Sequence, residues 1–463
     1  MNHTIINNFS DFIDRTKYQE QIEDLHLAFE LIISNFNVKH IYALNFKNCI
    51  FSKINIRNLN FPDLNIQFIN CIFEDEITIN NNHINDLTIS FFEYKEIYKI
   101  TSSKLGISDN KFEGRCKINN LIFQGGAFHF IGNTFTKTPT EIIPKRETNH
   151  NVCEIRNSTI NNGSFNNNSY YMPFYFTSNT LTFDSKYSGH SFRNNLFQKT
   201  DFSHTNFGTL GEFRKCDFLG TALFTYLKSN ISILNFHNCK FIGFTHFSNS
   251  QIKCLSIEFS TFERSTSFKE LNVDNIILSE IKFEKGAYFD DIKINNILNK
   301  TYLQNDNSIK IKEWKHTLRL IKQELQKTEN KIDFNRFRNY ELATYYKELK
   351  FWDSPIDKII LFTTKWSTNF GSWFWAFCFT LITGFSWYCI LYFWEHNGSY
   401  NPDRINDFVT GSFRFFLITD FYSPFEDRKY LTDAVSWFPF VIGKIVIAFG
   451  IYEMIQAFRK FKV

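Results

Sequence analysis

The sequence predicts a β-solenoid followed by an α-helical hairpin and two transmembrane helices. Large apolar residues recur every five positions through much of residues 40–296, whereas a helix repeats every ~3.6 residues and a half-buried strand about every second residue. The five-residue steps combine into a period of 21, and such a repeat is typical of solenoids. Residues 371–394 contain no charged side chain, which indicates a membrane span.

Composition and charge narrow the function classes. The chain has 463 residues, 18% of them aromatic, so it is too apolar to be disordered and too long for one typical domain. Residues 1–300 carry 30 basic and 30 acidic side chains, and residues 301–370 carry 13 and 9. Mimicry of DNA needs a dense negative surface, which a solenoid with equal numbers of both charges lacks, so we do not expect a DNA mimic. We also expect no nucleic-acid partner. Residues 1–20 lack a basic segment followed by an apolar one, so we expect no secretory signal.

Residues 1–40 are predicted to hold a capping helix. In the segment 17–36, five apolar residues at helical spacing would lie on one side of a helix: Ile22, Leu25, Phe29, Ile32 and Ile33. The open end of a solenoid presents unpaired strand edges that invite aggregation. We therefore expect this helix to cover the N-terminal end, with a partner-binding helix as the alternative.

Residues 41–300 are predicted to form the solenoid. Within residues 259–294 the large apolar positions are five apart, with an occasional step of six: Phe262, Phe268, Val273, Leu278, Phe283, Phe289 and Ile294. Four steps of five and one extra residue make the 21 that separates Phe241 from Phe262. Each coil would turn four corners and send a large side chain inward at each. The predicted interior residues include Phe218, Phe241, Phe262 and Phe283.

The cysteines follow the same rhythm. Six of nine lie two residues before an apolar centre: Cys49, Cys71, Cys116, Cys153, Cys216 and Cys239. Thr200, Thr205, Thr245 and Ser260 occupy the same position in other units. Because free cysteine behaves as a small hydrophobe, we expect buried spacers, with metal ligation or disulfide pairing as alternatives. No CxxC pair occurs; we expect no metal and no cofactor, and a reducing compartment is favoured.

Over residues 40–135 and 190–296 the chain resembles the pentapeptide-repeat family. The likeness is strong in rhythm and loose in consensus, since the usual alanine two before the centre is here more often cysteine, threonine or serine. The resemblance implies a right-handed quadrilateral β-helix, a form of parallel β-helix, with each unit centred on leucine or phenylalanine. Residues 136–150 and 166–190 break the register, so we expect loops or distorted coils there.

Residues 301–370 are predicted to form a helical hairpin and a membrane-proximal linker. Apolar residues at helical spacing run from 308 to 352 and are interrupted near 327–333, and a short break between two helices favours an αα-hairpin. This pair also resembles the hairpin that follows the solenoid in membrane-bound members of the family. Glu341 lies among aromatic residues, and we expect it to be solvated or paired with Arg338.

Residues 371–463 are predicted to be a membrane module. As a helix, residues 371–394 extend about 36 Å, enough for a hydrocarbon core of about 30 Å. Aromatic residues at both ends suit the two interfaces: Trp373, Trp375, Tyr392 and Trp394. The second expected span, residues 434–452, contains Pro439 and Lys444. The loop 395–433 has four basic and seven acidic residues, so the positive-inside rule places both termini and the solenoid in the cytosol of a multi-pass cell-membrane protein.

Lys444 falls near the middle of the second span. An unpaired lysine there costs about 2.5–3.5 kcal/mol on insertion scales, and such residues usually face a partner or an aqueous path. Asp420 or Glu453 would be its carboxylate partner, and Arg414 is a further candidate pore residue. The alternative is a lysine that snorkels to one membrane surface.

Residues 405–421 are apolar but too few to cross a bilayer. They suit either an interfacial helix or a re-entrant one. Span, half-helix and span is the order found in two-helix ion channels, although no TVGYG-like potassium filter occurs.

The expected function is non-enzymatic. The sequence contains no HExxH, nucleophile elbow or glycine-rich phosphate loop after a strand, so we expect no catalytic residue. We expect the solenoid to bind a cytosolic protein or small ligand and to control a channel-like or membrane-permeabilising module in the lipid bilayer. Two spans cannot enclose a conduit, so this module requires a homo-oligomer. The alternative is a membrane-tethered scaffold with the spans as simple anchors.

Overall fold

The computed structural model of the chain divides into two units, Met1–Tyr302 and Leu303–Val463. The structure describes residues 4–6, 22–34, 43–74, 76–90, 99–100, 104–113, 115–123, 127–136, 152–182, 190–296, 307–395, 405–425 and 429–459.

The first unit consists of short strands joined by tight corners. The described strands are β1 (Thr4–Ile6), β2 (Ile22–Glu23), β3 (Leu25–Ile33), β4 (Ala43–Lys47), β5 (Ile50–Arg57), β6 (Asn60–Ile69), β7 (Ile72–Phe73), β8 (Ile77–Asn80), β9 (His83–Ser90), β10 (Lys99–Ile100), β11 (Lys104–Ser108), β12 (Lys111–Phe112), β13 (Cys116–Asn119), β14 (Ile122–Phe123), β15 (Ala127–Ile131), β16 (Thr134–Phe135), β17 (Cys153–Arg156), β18 (Thr159–Asn161), β19 (Gly163–Ser164), β20 (Ser169–Thr177), β21 (Thr180–Thr182), β22 (His190–Arg193), β23 (Leu196–Asp201), β24 (Leu210–Arg214), β25 (Asp217–Phe218), β26 (Ala222–Leu223), β27 (Lys228–His237), β28 (Lys240–Phe241), β29 (Thr245–His246), β30 (Gln251–Glu258), β31 (Thr261–Phe262), β32 (Thr266–Ser267), β33 (Asn272–Ser279), β34 (Lys282–Phe283), β35 (Ala287–Tyr288) and β36 (Lys293–Ile294).

These strands stack in parallel and form a β-solenoid, which confirms the predicted fold class. One long sheet follows the order β1-β3-β5-β8-β11-β15-β19-β22-β24-β27-β30-β33-β36. The register repeats the sequence period, since Phe241 pairs with Phe262, which pairs with Phe283 one coil further on. A step of 21 residues therefore returns the chain to the same place on the coil.

The interior is filled by stacked phenylalanine rings. The Phe218 and Phe241 ring centroids are 4.5 Å apart at an interplanar angle of 1°, and Phe241 and Phe262 repeat this at 4.5 Å and 3°. Phe283 continues the stack at 5.0 Å from Phe262. All four rings are buried. A ring at a fixed place on each coil thus meets the matching ring of the next coil.

The corners require a left-handed backbone. Positive φ recurs directly before the small inward residue, for example at Asn48 (53°), Asn194 (53°) and Asn238 (54°). Asparagine is one of the few residues that tolerate this region, because its short side chain can bond locally. The frequent asparagines of the sequence therefore have a conformational cause.

The capping helix expected over 17–36 is wrong for residues 22–33. These residues form β2 and β3, and β3 pairs in parallel with β1 and β5. The inward residues of β3 are Leu25, Leu27, Leu31 and Ile33, while Phe29 and Ile32 lie outside the core. Buried and exposed positions alternate along β3, with a register shift between Leu27 and Glu30. This strand pattern, and not the helical spacing of the apolar residues, determines the structure here.

Loops or distorted coils were expected at 166–190, but residues 166–182 are largely regular, and residues 183–189 lie outside the described part of the chain. Strand β20 fits between β17 and β23, and its only departure is a register shift between Tyr170 and Pro173. Tyr170 takes the place of a phenylalanine and stacks on Phe197 at 5.1 Å. Because Tyr170 stands where other coils have phenylalanine, the repeat was not recognised in this part of the sequence. The other expected break, 136–150, lies outside the described residues except for Thr136.

The second unit is helical. Its described helices are α1 (Asn307–Lys327), α2 (Lys331–Glu348), α3 (Pro355–Thr368), α4 (Trp373–Glu395), α5 (Ile405–Phe416) and α6 (Ala434–Arg459). The hairpin of α1 and α2 breaks where the sequence indicated, and the Asn330 side chain caps α2 by accepting from the Asp333 N–H at 3.1 Å. Helix α3 occupies the segment that was expected to be a linker.

Glu341 joins the two helices of the hairpin. It lies on α2 and accepts hydrogen bonds from Arg319 Nε at 3.0 Å and from the Lys322 ammonium, both on α1. Its partners are thus on the opposite helix, not Arg338. Burial raises the pKa of this carboxyl, but the hydrogen bonds from Lys322 and Arg319 more than offset burial, and its pKa lies below the usual value.

We expect the hairpin to lose stability in acid. A carboxyl whose pKa is depressed by folding stabilises the fold above its unfolded pKa, about 4.3 for glutamate, and that contribution is lost as pH falls through the folded pKa. The protection of α1 and α2 against hydrogen exchange, taken relative to the intrinsic exchange rate at each pH, should therefore fall below about pH 4 in the full-length protein. Glu341→Gln is the matched control: its protection should be lower at neutral pH and should change less on acidification. Equal pH profiles would contradict the role of Glu341.

Candidate functional site

Two helices of the second unit, α4 and α6, are long and apolar enough to cross a membrane. They pack against each other, and the short helix α5 packs against both. Their shared core consists of buried residues Tyr388, Leu391, Phe415, Leu431, Phe440 and Ile447. Helix α5 is therefore part of the bundle and does not simply connect the two long helices.

The two ends of α5 meet different levels of the long helices. Near its N-terminus, the carbonyl of Phe408 accepts a hydrogen bond from Tyr388 Oη at 2.6 Å, and the Phe408 ring lies 4.8 Å from that of Tyr392. Both tyrosines belong to the last third of α4. At the other end, the Phe416 ring lies so close to Gly384 that a Cβ there would approach it to 2.7 Å.

Gly384 is the twelfth residue of the 23 in α4, counting from Trp373. On the opposite side, a Cβ at Gly443 of α6 would come within 2.5 Å of the Phe415 ring. The C-terminal end of α5 therefore abuts the middle of both long helices. Glycine is required at these two positions because a larger side chain would push α5 away.

Lys444 holds this end of α5. It is the eleventh residue of the 26 in α6, and only 5% of it is exposed. Its ammonium donates to the carbonyl of Leu417 at 2.6 Å and, more weakly, to that of Arg414 at 3.4 Å. The last carbonyls of a helix lack intrahelical donors and carry a partial negative charge, so a cation suits this position.

Lys444 donates to main-chain carbonyls and not to the carboxylates predicted as its partners, although the negative charge of Asp420 still acts on its ammonium. Asp420 follows the end of α5, where its Oδ1 accepts from the Tyr422 N–H at 3.0 Å. Glu453 is nine residues along α6, about 14 Å by helical rise. Arg414 contributes its main-chain carbonyl, and its side chain is half-buried. Sequence reasoning considered only carboxylates and missed the carbonyls, although a half-helix that ends inside a bundle leaves such groups to be bonded.

The cysteines predicted to lie inside the solenoid are free and buried: Cys49, Cys71, Cys116, Cys153, Cys216 and Cys239. Four of the thiols, those of Cys49, Cys71, Cys216 and Cys239, donate to main-chain carbonyls of the preceding coil, as Cys216 does to Phe192 O at 3.0 Å. Burial raises the pKa of Cys71, Cys153 and Cys216, which makes these thiols poor nucleophiles. Thr200, Thr205, Thr245 and Ser260 are buried as well.

A ladder of buried asparagines occupies this position in other five-residue units that precede Cys216, and sequence reasoning missed it. Its members are Asn82, Asn110, Asn133, Asn168 and Asn195. Asn133 is typical: its Nδ2 donates to Ile107 O at 2.9 Å and to Asn168 Oδ1 at 3.2 Å. The signal was present in the sequence, because each asparagine lies two residues before an apolar centre, like the cysteines.

We expect Asn133→Ala to destabilise the solenoid by about 2–4 kcal/mol. The change removes four hydrogen bonds, because Asn133 Oδ1 also accepts from Asn110 N and Nδ2, and an unsatisfied buried polar group costs about 1–3 kcal/mol. Asn133→Cys is the matched control, since cysteine occupies this position in the coil of Cys216. It should lose less stability in denaturant unfolding of the full-length protein. Equal losses would show that the bonds of the amide contribute nothing specific.

No protein-family model, curated protein or solved structure matches the chain.

Proposed function

We propose that this chain is one subunit of an oligomeric membrane pore, controlled by a cytosolic β-solenoid that binds a protein or small ligand. The observation that carries the proposal is the end of α5 against the middle of two helices long enough to cross a bilayer. We place α4 and α6 across the membrane and assign no enzymatic activity to the chain.

The contacts of α5 favour a re-entrant path over an interfacial one. Twelve residues of helix extend about 18 Å, too little to cross a hydrocarbon core of about 30 Å. The chain then turns back, since the carbonyl of Pro424 faces Gly411 and the Phe425 ring lies 5.7 Å from that of Tyr392. The segment 405–425 thus leaves and returns at the same end of α4.

The turn after α5 argues for an oligomer. Leu417 and Phe421 are 58% and 54% exposed, and residues 417–425 are not helical. Irregular backbone at membrane depth is tolerated only where protein covers it or where it lines water. In a symmetric assembly, neighbouring copies would supply the covering protein, and a central aqueous path would supply the water. A scaffold with simple anchors needs neither this segment nor the cost of a buried lysine.

The orientation follows from charge. Lysines precede α4, and the chain ends in a basic segment, whereas the loop between the long helices is acidic. The positive-inside rule then places the solenoid and both termini in the cytosol. The segment 405–425 would enter from the opposite side of the cell membrane.

The oligomeric state of the full-length protein in detergent is the decisive measurement. We expect a closed homo-oligomer by light scattering and ion flux after reconstitution in liposomes. A charged, membrane-impermeant thiol reagent should reduce the flux of Phe421→Cys, whose side chain would border the aqueous path. It should leave the matched variant Ile382→Cys unaffected, because Ile382 is 68% exposed in the middle of α4 and would face lipid. A monomer that passes no ions would refute the pore and favour the tethered scaffold.

A further inference from the structure

Helix α3 presents an unusually apolar outer face. Its exposed residues include Ile356 (72%), Ile360 (55%) and Trp366 (66%), together with Ile359 and Phe362. At about 100° per residue these side chains fall within an arc of about 160° that contains no charged residue. Monomeric soluble proteins rarely expose an apolar patch of this kind without a partner.

The cations of α3 point the other way. Lys358 Nζ donates to Tyr346 O at 2.5 Å and to Leu349 O at 2.9 Å, at the C-terminal end of α2. It also lies 3.9 Å from the centroid of the Tyr346 ring, and Lys365 lies 4.7 Å from the same ring. One side of α3 is thus fixed to the hairpin by charge-assisted bonds, and its orientation is set.

The outer face of α3 continues onto the start of α4. Four residues, 369–372, separate the two helices, and Trp366 packs edge-on against Phe379 of α4 with ring centroids 5.7 Å apart. Trp373, Phe374 and Trp375 at the start of α4 are also exposed. A tryptophan-rich boundary between an exposed helix and an apolar span is typical of a membrane interface.

We propose that α3 lies in the interface of the bilayer, with its apolar face against the boundary between headgroups and acyl chains. The occupant of this face is lipid, because the face is continuous with the surface of α4 that meets lipid in the proposed function, on which this inference rests. Interfacial amphipathic helices bury their apolar face by about 5–10 Å at that depth. The Lys358 contacts then tie the end of α2 to the membrane surface.

Photo-cross-linking of the full-length protein in phosphatidylcholine vesicles tests this placement. A benzophenone amino acid is introduced at Ile359 of α3, and lipid adducts are measured by mass spectrometry. The matched control is Ile332, which is 69% exposed at the far end of α2, about 25 Å of helix from the α3 junction. A second control is Leu381, an exposed residue of α4. We expect adduct yields at Ile359 at least about tenfold above those at Ile332.

The outcomes separate this inference from the proposed function. Lipid adducts at Leu381 but only background at Ile359 would overturn the interfacial helix and leave the membrane span standing. A cross-linked protein dimer at Ile359 in place of lipid would also overturn it, because a second copy would then cover the face. Adducts at Ile359 without any at Leu381 would support the surface helix and refute the span. Background at both positions would refute both.

Discussion

Lys444→Met is expected to abolish ion flux while leaving α4 and α6 inserted in the membrane. Methionine fills a similar space but cannot donate to Leu417 O or Arg414 O. Leaving carbonyls unbonded in a membrane interior costs several kcal/mol, whereas removing a buried charge returns about 2.5–3.5 kcal/mol. These opposing effects nearly cancel for the bundle as a whole, but the loss falls entirely on the end of α5, which should detach.

The measurement is hydrogen exchange of residues 405–425 together with flux in liposomes. Exchange should accelerate in this segment of Lys444→Met and stay unchanged in α4. Lys444→Arg keeps a cation and several donors and should retain part of the flux. Glu453→Gln is the matched control, because it removes a charge from the same helix far from α5. Full flux and normal protection in Lys444→Met would contradict the role assigned to this residue.

The solenoid could be predicted because its signal is periodic. A ring such as Phe262 must meet Phe241 and Phe283 at the same place on adjacent coils. The spacing of 21 residues between matching apolar positions therefore recurs in the sequence. The position two residues before each centre is equally constrained, and six cysteines indicate it. The same position holds asparagine in other coils, but a buried amide needs partners from neighbouring coils, which only the three-dimensional register supplies.

The sequence predicts a helix where β2 and β3 lie, because a short apolar run fits both a helical and a strand period. In residues 22–33, the positions Leu25, Phe29 and Ile32 suit a helix, whereas Leu25, Leu27 and Leu31 suit a strand with one bulge. Pairing with β5 decides in favour of the strand, and this pairing joins residues more than 20 positions apart in the sequence. Local spacing carries no information on such a neighbour.

The membrane module could be outlined but not assembled from the sequence. Long apolar segments indicate α4 and α6 by composition alone, and the apolar segment 405–421 indicates a short helix between them. The partner of Lys444 depended on where α5 ends, and the exposed face of α3 depended on where Lys358 and Lys365 point. Both are properties of packing between helices.

Phe241→Ala is expected to destabilise the solenoid by about 3–5 kcal/mol, the usual cost of removing a buried phenylalanine. The ring is fully buried and stacks on Phe218 and Phe262 at 4.5 Å on either side, and each aromatic pair adds about 0.5–1.5 kcal/mol beyond its burial. Because each coil of a solenoid contacts only its neighbours, the damage should be local. Hydrogen exchange should accelerate in β25, β28 and β31 before the remaining strands.

Phe244→Ala is the matched control for this prediction. Phe244 lies three residues away on the same coil, and half of it is exposed, so its removal should change the stability by no more than about 0.5 kcal/mol. Phe241→Leu refills most of the volume without a ring and should fall between the two, which separates the cavity from the stacking. Denaturant unfolding of the full-length protein in detergent gives all three values. Similar losses for Phe241→Ala and Phe244→Ala would show that the ring stack does not hold adjacent coils together.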